Sequence, residues 1–240
     1  MNARSARDAR PLRWMHVGTA RFVDAMDRLD DAALDQSAAL PGWSRRHVLA
    51  HLAANAEALQ RLAHWARTGE ERRMYSSPEQ RDADIEEGST LPAAELRTWV
   101  RSSADRLAAD LDALDEADWA AEVVTAQGRT VPATEIPWLR AREVLIHAVD
   151  LDAGVEFRDL PQDFLVQLVF EVVAKRSAGN GPAVLLHATD AGYDWQINGS
   201  GPAVTVSAAL PEMAAWVTGR PTKITGADDG APLPELPAWL

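Results

Sequence analysis

The sequence contains no cysteine. Disulfides, thiolate metal ligands and a protein-borne thiol nucleophile are therefore excluded together, and any sulfur chemistry has to arrive on a cofactor. Positive charge is also short: 24 Lys and Arg stand against 36 Asp and Glu, a formal charge of −12. Duplex nucleic acid and anionic membrane surfaces are bound through cationic groups, so neither is an expected partner. No run of about eighteen uncharged apolar residues occurs, and the opening MNARSARDARPLRW lacks the apolar core of a secretory signal. The chain is expected in the cytoplasm. Missing too are a Gly-rich phosphate loop, HExxH, GxSxG and a dinucleotide fingerprint.

What is present suits a folded soluble protein. The 240 residues are 47% hydrophobic and 25% charged, room for one large domain or two modest ones. Residues 13–29 carry apolar side chains at helical spacing, and Pro41-Gly42-Trp43-Ser44 turns into a second helix ending near Arg67, with Ser44 as its N-cap. Residues 68–92 are polar and broken by Ser-Ser-Pro and Gly-Ser-Thr, so they read as a stretch outside the core elements. Residues 93–114 are helical, 126–129 form a turn, and 138–151 make a fourth long helix. Four such helices predict a bundle.

After Gly154 the texture changes. An apolar helical run at 165–173 precedes short β-like segments at 183–187, 193–197 and 204–206, then a helix at 213–218 stopped by Gly219. The tail from 226 is rich in Pro and Gly and ends on Trp239 and Leu240 as apolar anchors. The expected fold class is α+β: a helical bundle over 1–154 and a smaller α+β domain over 155–240.

The fourth helix breaks the usual pattern of a bundle core. In WLRAREVLIHAVDL, Arg140, Glu143, His147 and Asp150 recur at spacings of 3, 4 and 3 and share one face, the seam that Leu normally fills. Burying a carboxylate and an imidazole there costs several kcal/mol unless each is paired or ligates a metal. On the second helix His47, His51 and Asn55 follow at i, i+4; His51 and Asn55 lie at the edge of the buried arc, and His47 is expected to face solvent. A His on one helix and Glu-x-x-x-His on another is how bundles build metal sites, with a coordination position left open. Zinc fits these ligands, and Fe(II) is the runner-up. A buried Glu–His–Arg hydrogen-bond network, with Arg140 neutralising Glu143 or Asp150, accounts for the same spacing. His16, His64 and His187 have no evident partners and read as structural or surface residues.

The segments GWSRRHVLAHLAANA (42–56), HWARTGEERRMYSSPEQRDADIEEGSTL (64–91), VTAQGRTVPATE (124–135) and WLRAREVLIHAVDL (138–151), with WVTGR (216–220) and PELPAWL (234–240), make the chain resemble the mycothiol-dependent maleylpyruvate isomerases. These belong to the metal-binding bundle superfamily that includes DinB-like proteins. The resemblance implies a DinB-like four-helix bundle followed by an α+β domain of sterol-carrier type. It implies His51, Glu143 and His147 as zinc ligands, His51 and Arg220 as catalytic residues, and mycothiol as the source of the absent thiol. His47 has no ligand role in the family pattern.

A maleylpyruvate isomerase makes a cis double bond temporarily single by adding a thiolate, then eliminates it to give fumarylpyruvate; the implied setting is gentisate breakdown. Metal coordination deprotonates a thiol that would otherwise be mostly protonated at neutral pH. The substrate is a small dicarboxylate entering a protein of charge −12, so local arginines are required. Arg220 is the first choice, with Arg81 and Arg129 as further candidates; Arg81, Arg129 and Asp150 make up the expected cofactor-binding set, Asp150 by orienting a metal-ligating imidazole. Tyr75 could line the same pocket. The chain is expected to act as a monomer. Competing readings are a mycothiol S-transferase of the same superfamily and a non-catalytic metal- or ligand-binding protein. A metal-dependent hydrolase is disfavoured because no free general base stands beside the triad.

Overall fold

Pro11 in the first turn and an apolar repeat at Trp14, Met15, Gly18, Phe22, Ala25 and Met26 form helix α1 (Arg10–Asp27), which buries those six residues. The computed structural model describes residues 9–238. Asp30 caps the short α2 (Asp31–Leu34) by accepting from the Ala33 N–H at 2.7 Å. Helix α3 (Arg45–Thr68) begins after Ser44, as the sequence predicts, and stops at Gly69, whose φ of 74° is left-handed. His47 is half-buried rather than solvent-facing, because its Nδ1 accepts from the Ser44 N–H at 3.2 Å and completes the cap.

The polar stretch 68–92 holds a helix that its pattern conceals. Helix α4 (Pro78–Ser89) is started by Ser77, which accepts from the Gln80 N–H at 3.2 Å. It buries only Ile85, Gly88 and Ser89, too few to give an apolar period. A side chain at Gly88 would meet Trp99 at 2.6 Å and Ala50 at 3.0 Å, so glycine is what lets α4 lie close to its neighbours. Helix α5 (Ala93–Asp112) buries Leu96, Val100, Leu107 and Leu111, and α6 (Glu116–Ala120) is capped by Asp115. The 126–129 turn joins β1 (Glu122–Val124) to β2 (Thr130–Pro132) in an antiparallel hairpin. Helix α7 (Ile136–Asp150) follows, with Pro137 in its first turn.

The four long helices α1, α3, α5 and α7 make the bundle: α1 packs on α7, and α3 packs on α5 and α7. Phe22, Met26, Leu49, Leu52, Leu96, Val100 and Val144 lie together in its core. The chain then divides into two compact units between Val155 and Glu156.

In the second unit α8 (Gln162–Ser177) precedes strands β3 (Pro182–Ala188), β4 (Tyr193–Ile197) and β5 (Ser200–Ala208), then α9 (Leu210–Val217). The sheet order is β4-β3-β5, β3 running antiparallel to β4 and parallel to β5, with Leu186 opposite Trp195 and Val206. Strand β5 is longer than its sequence suggests because most of its side chains are exposed, which leaves little apolar signal. Asp228 closes the outer edge of β5: its N–H donates to the Thr205 carbonyl at 2.9 Å, and its carboxylate accepts from the Ser207 N–H at 2.8 Å. Trp239 and Leu240 lie outside the described residues.

Helix α1 comes close to α7 at Gly18, where an added Cβ would stand 2.5 Å from Val144 Cγ2 and 2.8 Å from Leu145 Cγ. Gly18→Val should therefore destabilise the protein by about 2–3 kcal/mol, read as a lowered urea midpoint; an unchanged midpoint would show that α1 can move away from α7 at no cost.

Candidate metal centre

The seam face of α7 meets α3 where His51 points inward. His51 is 4% exposed, and its ring packs edge-on against His147 with centroids 4.8 Å apart. Trp43 covers its other side at 5.5 Å. His51 Nε2 lies 2.9 Å from Glu143 Oε2, and His147 Nε2 lies 3.3 Å from the same oxygen. One ligand atom from each of the three residues falls within 4.8 Å of the others; this is the one such group of three among the described residues. Donors bound at about 2.0–2.2 Å around one divalent ion stand roughly 3.3–3.6 Å apart, so to hold zinc the 2.9 Å pair has to open and a separation of up to 4.8 Å has to close.

Each of the three side chains is held by a neighbour. His147 Nδ1 is 2.9 Å from Asp150 Oδ2, and Asp150 is fully buried, so its carboxylate fixes that imidazole with Nε2 toward Glu143. The second oxygen of Glu143 faces Arg142 Nη2 at 3.7 Å. Arg81, on α4, places Nη2 3.4 Å from His51 Nδ1 while Nη1 donates to Asp82 at 2.8 Å. A guanidinium can only donate, so this contact requires the proton of neutral His51 to sit on Nε2, directed at Glu143. Metal ligation through Nε2 requires that proton on Nδ1 instead, and Arg81 then has to turn away.

The local fields divide the three groups. Burial drives His51 down to about 4, outweighing the attraction of Glu143, so its imidazole is neutral at neutral pH. Burial would raise Glu143, but hydrogen bonds from His147 and His51 hold it well below the ordinary carboxylate value. Burial would likewise lower His147, yet hydrogen bonds to Asp150 and Glu143 overcome it and raise the group. The Tyr75 hydroxyl is pushed up to about 12, first by burial and then by the Glu143 charge, so it stays protonated beside the site.

The expected residues are thus unequally placed. His51, Glu143 and His147 converge, Asp150 supports them, and Arg81 reaches them from a helix that the sequence conceals. Arg129 is exposed in the β1–β2 turn, and no contact joins its side chain to the triad. Arg220, after α9, donates from Nη1 to the Thr218 carbonyl at 2.7 Å. Arg140, the alternative partner for Glu143 or Asp150, forms no ion pair with either: it crosses to α3 and donates to the Leu52 carbonyl and Asn55 Oδ1 at 2.8 and 2.9 Å, and the Glu143 charge acts on it only from a distance. The arginine beside Glu143 is Arg142, which helical spacing places off that face and which gave no signal in the sequence. His64 and His187 pair with Glu70 and Asp194 at the surface, away from any cluster of ligands.

A family model described as the mycothiol maleylpyruvate isomerase N-terminal domain matches residues 15–152. No curated protein matches the chain. Among solved structures the chain is similar to one described as the mycothiol-dependent maleylpyruvate isomerase, with a TM-score of 0.91 and 38% identity over 96% of both chains. A histidine-to-alanine mutant of that enzyme matches equally. YfiT from Bacillus subtilis, described as a probable metal-dependent hydrolase with an unusual four-helix bundle topology, matches at TM-score 0.50 and 15% identity, over 63% of this chain and 91% of its own. That likeness shows the bundle fold alone. With the family's model covering more than half of its length, the chain belongs to the mycothiol maleylpyruvate isomerase family.

Proposed function

We propose that the chain is a mycothiol-dependent maleylpyruvate isomerase, converting the cis double bond of maleylpyruvate to the trans bond of fumarylpyruvate with zinc and mycothiol as cofactors. The observation that carries this reading is the His51–Glu143–His147 triad inside a chain that matches such an isomerase over 96% of both lengths. Zinc on these three residues would hold the mycothiol sulfur as a thiolate, whose addition to the double bond and later elimination permits the rotation.

The chain's own residues supply the rest. Two neutral imidazoles and one carboxylate neutralise only half of a divalent charge and leave a position open for an anionic fourth ligand. Trp43 packs against His51, which is buried and so kept from bulk water. Asp150 keeps Nε2 of His147 as the coordinating atom. Arg81 is the cation nearest the triad, and turning away from His51 frees its donors for a substrate carboxylate. Arg220 is assigned the second carboxylate and the enolate charge that develops on thiolate addition; this assignment rests on its place in the family-like WVTGR segment. The remaining proposals are a cytoplasmic monomer with small-molecule partners and a domain division at 154/155. Among the described residues no helix is long and apolar enough to cross a membrane.

Turnover of maleylpyruvate by the zinc-loaded protein should require added mycothiol. Arg220→Ala should lose most of that turnover and keep its zinc, whereas full activity in this variant would move the reading toward an S-transferase. Asp150→Asn should weaken zinc binding by about 10–100-fold, measured by competition with a chelator; unchanged affinity would remove Asp150 from the site.

His147 gives the pH dependence its sign. Because its folded value is raised, the metal-free protein holds a proton on His147 above the ordinary imidazole range, and zinc must displace it. Zinc affinity should therefore fall as pH drops through the neutral range, with proton release on binding visible in an unbuffered titration. Affinity that is flat with pH would mean His147 is already neutral before the metal arrives.

A further inference from the structure

Arg140 is a buried charge that the proposed chemistry leaves unused. It is 2% exposed, and burial lowers it only to about 10, so it remains a cation at neutral pH. Its bonds go to neutral acceptors on α3, the Leu52 carbonyl at 2.8 Å and Oδ1 of buried Asn55 at 2.9 Å. A guanidinium buried against neutral acceptors is costly, and leucine would fill the seam without that cost. Helix capping does not account for it, because Leu52 lies inside α3, where the carbonyls already serve the helix's own ladder.

Its place beside the triad does account for it. Arg140 stands one turn before Glu143 on α7, and Asn55 stands one turn after His51 on α3. The Arg140–Asn55 pair therefore forms the layer next to the His51–Glu143 pair. On the other side of the triad the two helices are joined by a second buried arginine, Arg45 at the start of α3. It donates from Nε to the Leu151 carbonyl at 2.9 Å and from Nη2 to the Asp152 carbonyl at 2.7 Å, with Asp152 Oδ2 at 3.5 Å. Along α3 and α7 alike, the three convergent side chains fall between these two crossings. Arg45 alone would leave α7 free to pivot about its C-terminal end. Arg140 meets α3 roughly 16 Å further along α7, and a slide of one residue, about 1.5 Å, would break both of its bonds.

We propose that Arg140 is a positioning residue of the metal centre: bonded to Leu52 and Asn55, it locks the register of α7 on α3 beside the triad and so keeps His51, Glu143 and His147 within reach of one ion. This role rests on the triad's being a divalent-metal site, as proposed above. Metal–ligand distances tolerate only about 0.2 Å of error, a closer alignment than apolar packing enforces. Fixing register is the use of buried polar groups that best repays their cost.

The test compares metal binding by the full-length chain and by Arg140→Met, which keeps much of the bulk and removes both bonds. Zinc affinity is read by competition with a chelator, and site geometry by the visible absorption bands of cobalt(II) bound in place of zinc. Arg140→Met should fold, lose about 10–100-fold in zinc affinity, and show shifted cobalt bands. Asn55→Leu removes one of the two bonds; it should shift the bands the same way with a smaller loss of affinity, and it carries the test if Arg140→Met does not fold. Leu111→Ala loosens the buried face of α5 without touching these bonds and should leave the bands in place. The proposal is overturned if the folded variants of Arg140 and Asn55 keep the wild-type affinity and bands, or if Leu111→Ala moves the bands as far as they do. A wild-type chain that takes up neither zinc nor cobalt overturns the metal reading itself, and this role with it.

Discussion

One carboxylate sets the terms for the bundle. Glu143 stands inside a helical seam where an unpaired charge would cost several kcal/mol, and its stability there depends on two imidazoles that share its Oε2. That requirement fixes where α3 and α7 cross, because His51 and His147 must approach the same oxygen. It also explains the supporting layer. His147 needs Asp150 to choose its tautomer, and Glu143 needs Arg142 on its other oxygen. Apolar packing between α1 and α7, down to the bare backbone of Gly18, leaves the seam face of α7 free to carry polar groups.

How much of this could be read in the sequence depends on burial. The spacing of Glu143, His147 and Asp150 marks them as unusual because they interrupt an apolar face, and His51 stands out for the same reason. Helix α4 escapes notice for the opposite reason: with only Ile85, Gly88 and Ser89 buried, its sequence looks like loop. Arg81 therefore reads as a candidate only through family resemblance, and its approach to His51 is visible only in three dimensions. The exchange of Arg140 for Arg142 is a failure of a different kind. Helical geometry says which Cβ atoms share a face, but an arginine is long enough to leave its face, and its destination depends on neighbouring helices. In the second unit, β5 is obscured because an edge strand with few buried side chains does not alternate.

The absence of cysteine takes on a meaning once the triad is assembled. Two histidines and one carboxylate would leave a divalent metal held there with residual positive charge, and no protein thiolate would compete for it. In the proposed isomerase the nucleophile is thereby exchangeable, while the polypeptide remains inert to thiol oxidation. The same economy appears in the arginines. Arg81 and Arg101 each keep one guanidinium arm anchored on an aspartate and leave the other arm directed inward.

Gly88 has a further consequence for access to the triad. By replacing a side chain with backbone contact against Trp99, it leaves Ile85 as the main apolar anchor of α4, and burying one such side chain contributes only about 1.5–3 kcal/mol. Lifting α4 is accordingly a low-cost local opening, and it carries Arg81 away from His51. Thermal fluctuation of that one helix can expose the most deeply buried imidazole to solvent while the four core helices stay folded.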